Sequence, residues 1–200
     1  MQHSVSYALV LAGMSLFIPN LAQAGVMEIG KVDQNGMQVK ALYIQSVVME
    51  GHDHHHGGHM DHSQHDASRD VQKDKEKDAV RDRDATDVHL EAQIHALDKN
   101  PHGFAAGSWI PYLTVEYALE KIGSDWKAKG ELIPMASSDG PHYGENVKLS
   151  GPGKYKVVYS IKPPSIPYHT DKETGVKGWW EPFKLDWEFN YAGTGKKGGY

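Results

Sequence analysis

The chain has 200 residues, a formal net charge of -5, thirteen histidines and no cysteine. Without cysteine there is no disulfide framework, no thiolate nucleophile and no Cys-type zinc or iron–sulfur site, so any metal must be held by His, Met, Asp or Glu. The acidic balance argues against nucleic acid as a partner, since that calls for a basic face, and points instead to cations.

In chain order, Tyr7 to Leu21 is almost wholly apolar or small and runs into Ala22-Gln23-Ala24, a small-x-small site. This predicts a cleaved signal peptide over 1–24 and export to the periplasm, although only His3 stands where a basic leader is usual. The run is shorter than the roughly 18 apolar residues that a span needs and is broken by Pro19 and Asn20, and no later segment is longer, so stable membrane insertion is not expected. One domain is expected over 25–192. Val26 to Val48 reads as strand, turn, strand, with Gln34-Asn35-Gly36 at the turn. From Gly51 to Asp87 the chain is His, Asp, Lys, Arg and Gly with almost no large apolar residue, which predicts a mobile insertion with at most a short solvated helix over Lys73 to Asp84.

Alternation then sets in. Val88, Leu90, Ala92, Ile94 and Ala96 are apolar, with His89, Glu91, Gln93 and His95 between them, the period of a half-buried strand. Leu113 to Leu119, Tyr155 to Ile161 and Phe183 to Tyr191 repeat the pattern, separated by turn signals such as Ser150-Gly151-Pro152-Gly153. Short alternating strands without amphipathic helices between them predict an all-β fold, an immunoglobulin-like antiparallel β-sandwich with a disordered His-rich insertion. Residues 193–200 read as a flexible tail.

Two sets of residues carry metal chemistry. The first is the tract of His52, His54, His55, His56, His59, His62 and His65, with carboxylates and Met60 interspersed. Crowded imidazoles raise local avidity for Cu, Zn, Ni or Fe without a fixed geometry; the plainer reading is a solvated linker. The second is spread over three segments: His89 with Glu91, Met135 with His142, and His169. Residues two apart on a strand point the same way, so His89 and Glu91 can reach one ion. Thioether sulfur favours copper, imidazole suits copper or iron, and a carboxylate suits iron or manganese. Each residue by itself has an ordinary reading, His89 on a strand surface, Met135 as core filler, His142 and His169 as loop hydrogen-bonders, and spacing alone leaves those readings ahead.

The balance is tipped by four blocks in a characteristic order: Asp87-Val88-His89-Leu90-Glu91-Ala92, Asp139-Gly140-Pro141-His142-Tyr143-Gly144, Lys162-Pro163-Pro164-Ser165 and His169-Thr170-Asp171-Lys172-Glu173-Thr174-Gly175-Val176. With them the chain resembles the periplasmic high-affinity iron-transport protein family over nearly all of its length except the insertion. The resemblance implies an immunoglobulin-like homodimer with a site near the dimer interface that binds copper and handles iron (Mn or Zn being surrogates), acting beside an inner-membrane iron permease. It implies Met135, His142 and His169 as copper ligands, His89 and Glu91 adjoining and able to help a second ion, and Asp139 and Tyr143 as groups supporting the ligands. The insertion and a short loop between Ser165 and His169 depart from the family pattern. A binding protein rather than an enzyme is expected. The alternatives are copper or nickel storage or resistance centred on the tract, and a copper-dependent ferroxidase or reductase; a dismutase is disfavoured because the core strands lack paired His-x-His ligands.

Overall fold

Asn35 and Gly36 adopt φ of 51° and 74°, the left-handed pair that lets a two-residue turn match the twist of its flanking strands. They join β1 (Met27–Gln34) to β2 (Met37–Gln45), with Gln34 opposite Met37. The computed structural model describes residues 25–50 and 68–193; the expected signal peptide, the histidine tract and residues 194–200 lie outside them. After β2 come helix α1 (Ser68–Ala85) and strands β3 (Val88–Ala96), β4 (Thr114–Lys121), β5 (Lys127–Ser137), β6 (Gly140–Val147), β7 (Gly153–Lys162) and β8 (Phe183–Tyr191).

All pairings are antiparallel, in the order β1-β2-β3-β6-β5-β4-β7-β8. The eleven-residue β5 belongs to both layers: Lys127 to Leu132 pair with β4, and Ile133 to Ser137 pair with β6. The sheet thus folds over along β5, and its far edges meet where β1 approaches β8. Tyr43 of β2 donates to the Asn190 carbonyl of β8 at 3.4 Å, and Gly30 of β1 lies so close to the Trp187 indole that a Cβ there would overlap it. This is the all-β antiparallel sandwich that the alternation predicts. Inward residues of one layer (Val39, Ala41, Leu90, Ala92, Ile94) face those of the other (Val115, Val157, Tyr159, Ile161), all essentially inaccessible to solvent. Buried Tyr159 sends its hydroxyl across to donate to the Glu91 carbonyl at 2.9 Å.

Gly30→Val is expected to destabilise the fold by about 1–3 kcal/mol, because the indole must leave its place to admit the branched side chain. A lowered urea midpoint at unchanged slope is the readout; an unchanged midpoint would mean that β1 and β8 are not packed at this point.

The region between β2 and β3 departs from expectation at its C-terminal end. The helix is longer than Lys73–Asp84, and Thr86 and Asp87, assigned to the mobile stretch, are buried. The reason is polar rather than hydrophobic anchoring, to which a search for apolar periodicity is blind. Thr86 closes the helix by donating from its N–H (3.1 Å) and its hydroxyl (2.8 Å) to the Asp82 carbonyl. The Asp87 carboxylate accepts the Leu149 N–H at 2.9 Å and pairs with the Lys148 ammonium at 3.1 Å. Asp78 and Arg81, three apart on the helix, add an exposed pair at 3.3 Å, worth a few tenths of a kcal/mol (about 0.2–0.5) in this setting.

Candidate metal centre

The site lies on the outer face of the layer formed by β1, β2, β3, β6 and the second half of β5. Register alone places its members. Ile44, His89 and Asn146 lie opposite one another in successive strands; the next row is Leu42, Glu91 and Gly144. Met135 lies opposite His142 across the β5–β6 hairpin, whose two-residue turn is Ser138-Asp139. Along β2, β3 and β6 these positions are two residues apart, and Met135 is the cross-strand partner of His142, so all share one face.

That face is not open. His89, Glu91 and His142 are 1%, 6% and 4% exposed, because the end of β5, the start of the described chain at Gly25-Val26 and the segment after β2 rise around them. They leave a cavity of about 620 Å³ lined by these three residues, Met135, Asp139, Lys40 and Val47 among others. The first two polar residues of the β3 alternation, His89 and Glu91, are therefore buried as well, the opposite of what polar residues on a strand usually mean, whereas Gln93 and His95 stay half-buried.

Ligating atoms of His89, Glu91 and His142 all lie within 4.8 Å of one another, and the two imidazoles meet edge to face at 5.9 Å. His89 Nδ1 sits 3.1 Å from the Asn146 side-chain oxygen. Its Nε2 is buried without any hydrogen-bond partner. Since Nδ1 carries the proton that Asn146 accepts, Nε2 presents a bare lone pair to the cavity, a costly arrangement unless something is to be bound there. Burial, opposed by the Asn146 hydrogen bond and aided by nearby His142, lowers the His89 pKa to about 4, so the ring stays neutral and able to ligate at physiological pH. His142 directs Nδ1 to the Gly140 carbonyl at 3.2 Å, which leaves its Nε2 for a ligand. Burial holds the Glu91 carboxyl above its ordinary range; His142, a Gln93 hydrogen bond and Lys40 draw it back, and Asp139 pushes it further up.

The donor set fits a borderline metal ion: two imidazoles and a carboxylate, with the half-buried Met135 thioether on the adjoining strand. Gly144 supplies the room. A Cβ at that position would fall on His89 Nε2, 2.9 Å from its Cε1 and 3.3 Å from His142 Cδ2.

The remaining expected residues fall in three places. Asp139 is exposed at the cavity rim. His169 is exposed on the loop after β7 and lines neither the cavity nor the three-residue cluster. Tyr143 faces the other way: fully buried between the layers, it accepts the Leu113 N–H at 3.0 Å and donates to the Ile110 carbonyl at 2.8 Å. Its expected support of the ligands is thus corrected to a core role, for the plain reason that a residue next to an outward-facing His142 must point inward. Asn146 and Gly144 were not singled out from the sequence. Both are two or four residues beyond His142 in the same strand, so the alternation that places His142 was the available signal.

Fold and donor set together define a class: a β-sandwich carrying a buried His/Glu pocket suited to a metal ion. The chain belongs to the Fe2+ transport protein family, whose model matches residues 64–193. A UPF0423 protein of Brucella abortus (strain 2308) is 40% identical over 200 residues, 96% of each chain. Among solved structures, FetP of uropathogenic Escherichia coli strain F11 is 40% identical with a TM-score of 0.66, covering 85% of this chain and 98% of its own. Copper-reconstituted P19 of Campylobacter jejuni is 36% identical with a TM-score of 0.68, covering 86% and 99%. The resemblance read from the sequence blocks is confirmed, and the family is one of transport rather than catalysis. Among the described residues no helix is long and apolar enough to cross a membrane.

Proposed function

We propose that this chain is an exported periplasmic protein that supports high-affinity iron uptake, holding copper in the outer-face pocket and handling iron beside an inner-membrane permease. The observation that carries the reading is the partnerless, buried Nε2 of His89 aimed at the space shared with Glu91 and His142. His89, His142 and Met135 would hold copper, and Glu91, with its harder oxygen, would serve a second ion such as iron. When bound, copper would supply a one-electron couple; the protein residues supply a buried cradle of two imidazoles, a thioether and a carboxyl group for it. Membership of an Fe2+ transport family and the copper-loaded state of P19 support this pairing of metals. The protein acts as a homodimer. His169, exposed and outside the pocket of its own chain, joins the ligand set only as the contribution of a second copy. The tract from His52 to His65 gathers metal for the pocket.

The test is titration of the mature protein with Cu(II), Fe(II), Mn(II) and Zn(II), with the tract histidines replaced by serine and the helix retained. One tight copper equivalent per chain is expected to persist and to weaken by about 10–100-fold or more in Met135→Ala and His142→Ala. Loss of all tight binding with the tract would overturn the pocket reading and put storage or resistance first.

A further inference from the structure

The Asn146 amide does more than meet His89. Its NH2 group donates to the Val47 carbonyl at 2.8 Å and to the Asp82 carboxylate at 2.9 Å, and its oxygen accepts the Val47 N–H at 3.2 Å as well as facing His89 Nδ1 at 3.1 Å. The orientation of the amide is therefore determined: turning it over would set NH2 against the Val47 N–H and oxygen against a carbonyl and a carboxylate. Val47 lies just after β2, where the chain leaves the sheet, and Asp82 lies in the last turn of α1, where it returns. One buried side chain, 7% exposed, thus clamps both stems of the insertion and holds the imidazole of a candidate ligand.

We propose that Asn146 is a positioning residue of the metal pocket, fixing the Nδ1–H tautomer of His89, and that docking of α1 through Asp82 keeps it in place. This rests on the reading of the pocket given above. The tautomer is the point of the device. A solvated neutral histidine side chain prefers its proton on Nε2, which would turn the cavity-facing atom from a lone pair into an N–H. An acceptor held rigidly at Nδ1 reverses that preference before any metal arrives. Rigidity comes from the four hydrogen bonds that saturate the amide, and one of them belongs to the helix. Metal affinity is consequently linked to a contact on the far side of Asn146 from the pocket.

Two measurements on the full mature chain separate this from the pocket reading. The first needs no metal: long-range 1H–15N correlation of the His89 ring in the apo protein at neutral pH. Wild type is expected to show the Nδ1–H form, and Asn146→Ala to shift toward Nε2–H. Asp82→Ala, a half-exposed helix position that leaves the core untouched, is expected to give an intermediate mixture. The second is Cu(II) affinity by competition with a chelator. Asn146→Ala is expected to lose about 10–100-fold and Asp82→Ala a smaller factor. Asn146→Asp, which sets one carboxylate against another at Asp82, is expected to be partly rescued by Asp82→Asn. An Nε2–H tautomer in wild type, or Nδ1–H in every variant, overturns the proposal whatever the copper result. Tautomer shifts as expected with no copper binding in wild type would leave Asn146 as the tautomer clamp and sink the pocket reading instead.

Discussion

Gly144→Ala is expected to lower Cu(II) affinity by about 100-fold, the upper end of what misplacing a ligand costs, while the sandwich stays folded. The backbone at Gly144 is ordinary strand, so alanine meets no conformational strain there, and its cost is confined to the overlap with the His89 ring. The methyl pushes on His89 Nε2, the atom that would meet the ion. Asn146 on one side and the neighbouring His142 on the other leave the ring no easy retreat. Chelator competition and circular dichroism, run together, make the test. Unchanged affinity would mean that no metal binds above Gly144, and a lost β spectrum would mean that the position matters for folding instead.

The second large effect concerns acid. His89 binds its proton with a pKa of about 4 in the folded chain against 6.5 for the free side chain. Between these values the unfolded state binds more protons at this site than the native state, so stability contributed by neutral His89 is fully present above about pH 6.5 and is lost as pH falls toward 4. The loss amounts to about 3 kcal/mol at 1.36 kcal/mol per pH unit. Glu91 works in the opposite sense, since its raised pKa makes the native state the better proton binder near the carboxylate range. The comparison to make is therefore between wild type and His89→Leu, both metal-free, by urea unfolding at several pH values. Wild type is expected to lose the extra 3 kcal/mol or so and the variant to lack it. Parallel curves would show that the ring is solvated after all.

How far the sequence carries such statements depends on which physical signal fixes each part. The β1–β2 hairpin was legible because Asn-Gly occupies the two left-handed positions, and the core strands were legible because one face of each alternates into the interior. His89 and Glu91 could be placed together by parity alone. Bringing them to His142 requires knowing that β6 pairs with β3, a contact between segments more than fifty residues apart that no local pattern encodes; only the family blocks supplied it. The opposition of Met135 and His142 was nearer to hand, since Ser138-Asp139-Gly140 is a tight-turn sequence and fixes the register of its hairpin. The ordered end of the insertion was hidden for a different reason. Thr86, Asp87 and Asp82 anchor it through hydrogen bonds, and polar residues that anchor look the same in a sequence as polar residues that are merely solvated.

The exit and re-entry points of that insertion have a consequence for how the family can change. Gln45 and Val88 are partners across the ladder, and pairing continues without interruption to Met37 and Ala96. Whatever lies between them leaves and rejoins the sheet at one rung, with Asn146 and Asp87 fastening its two feet. Lengthening such a closed excursion costs little, about 0.6 kcal/mol for each doubling. A longer, shorter or differently charged cassette is thus compatible with the same sheet at little cost. The constraint falls on the few residues at its two feet, where a badly fitted graft would be felt at once by a histidine in the pocket.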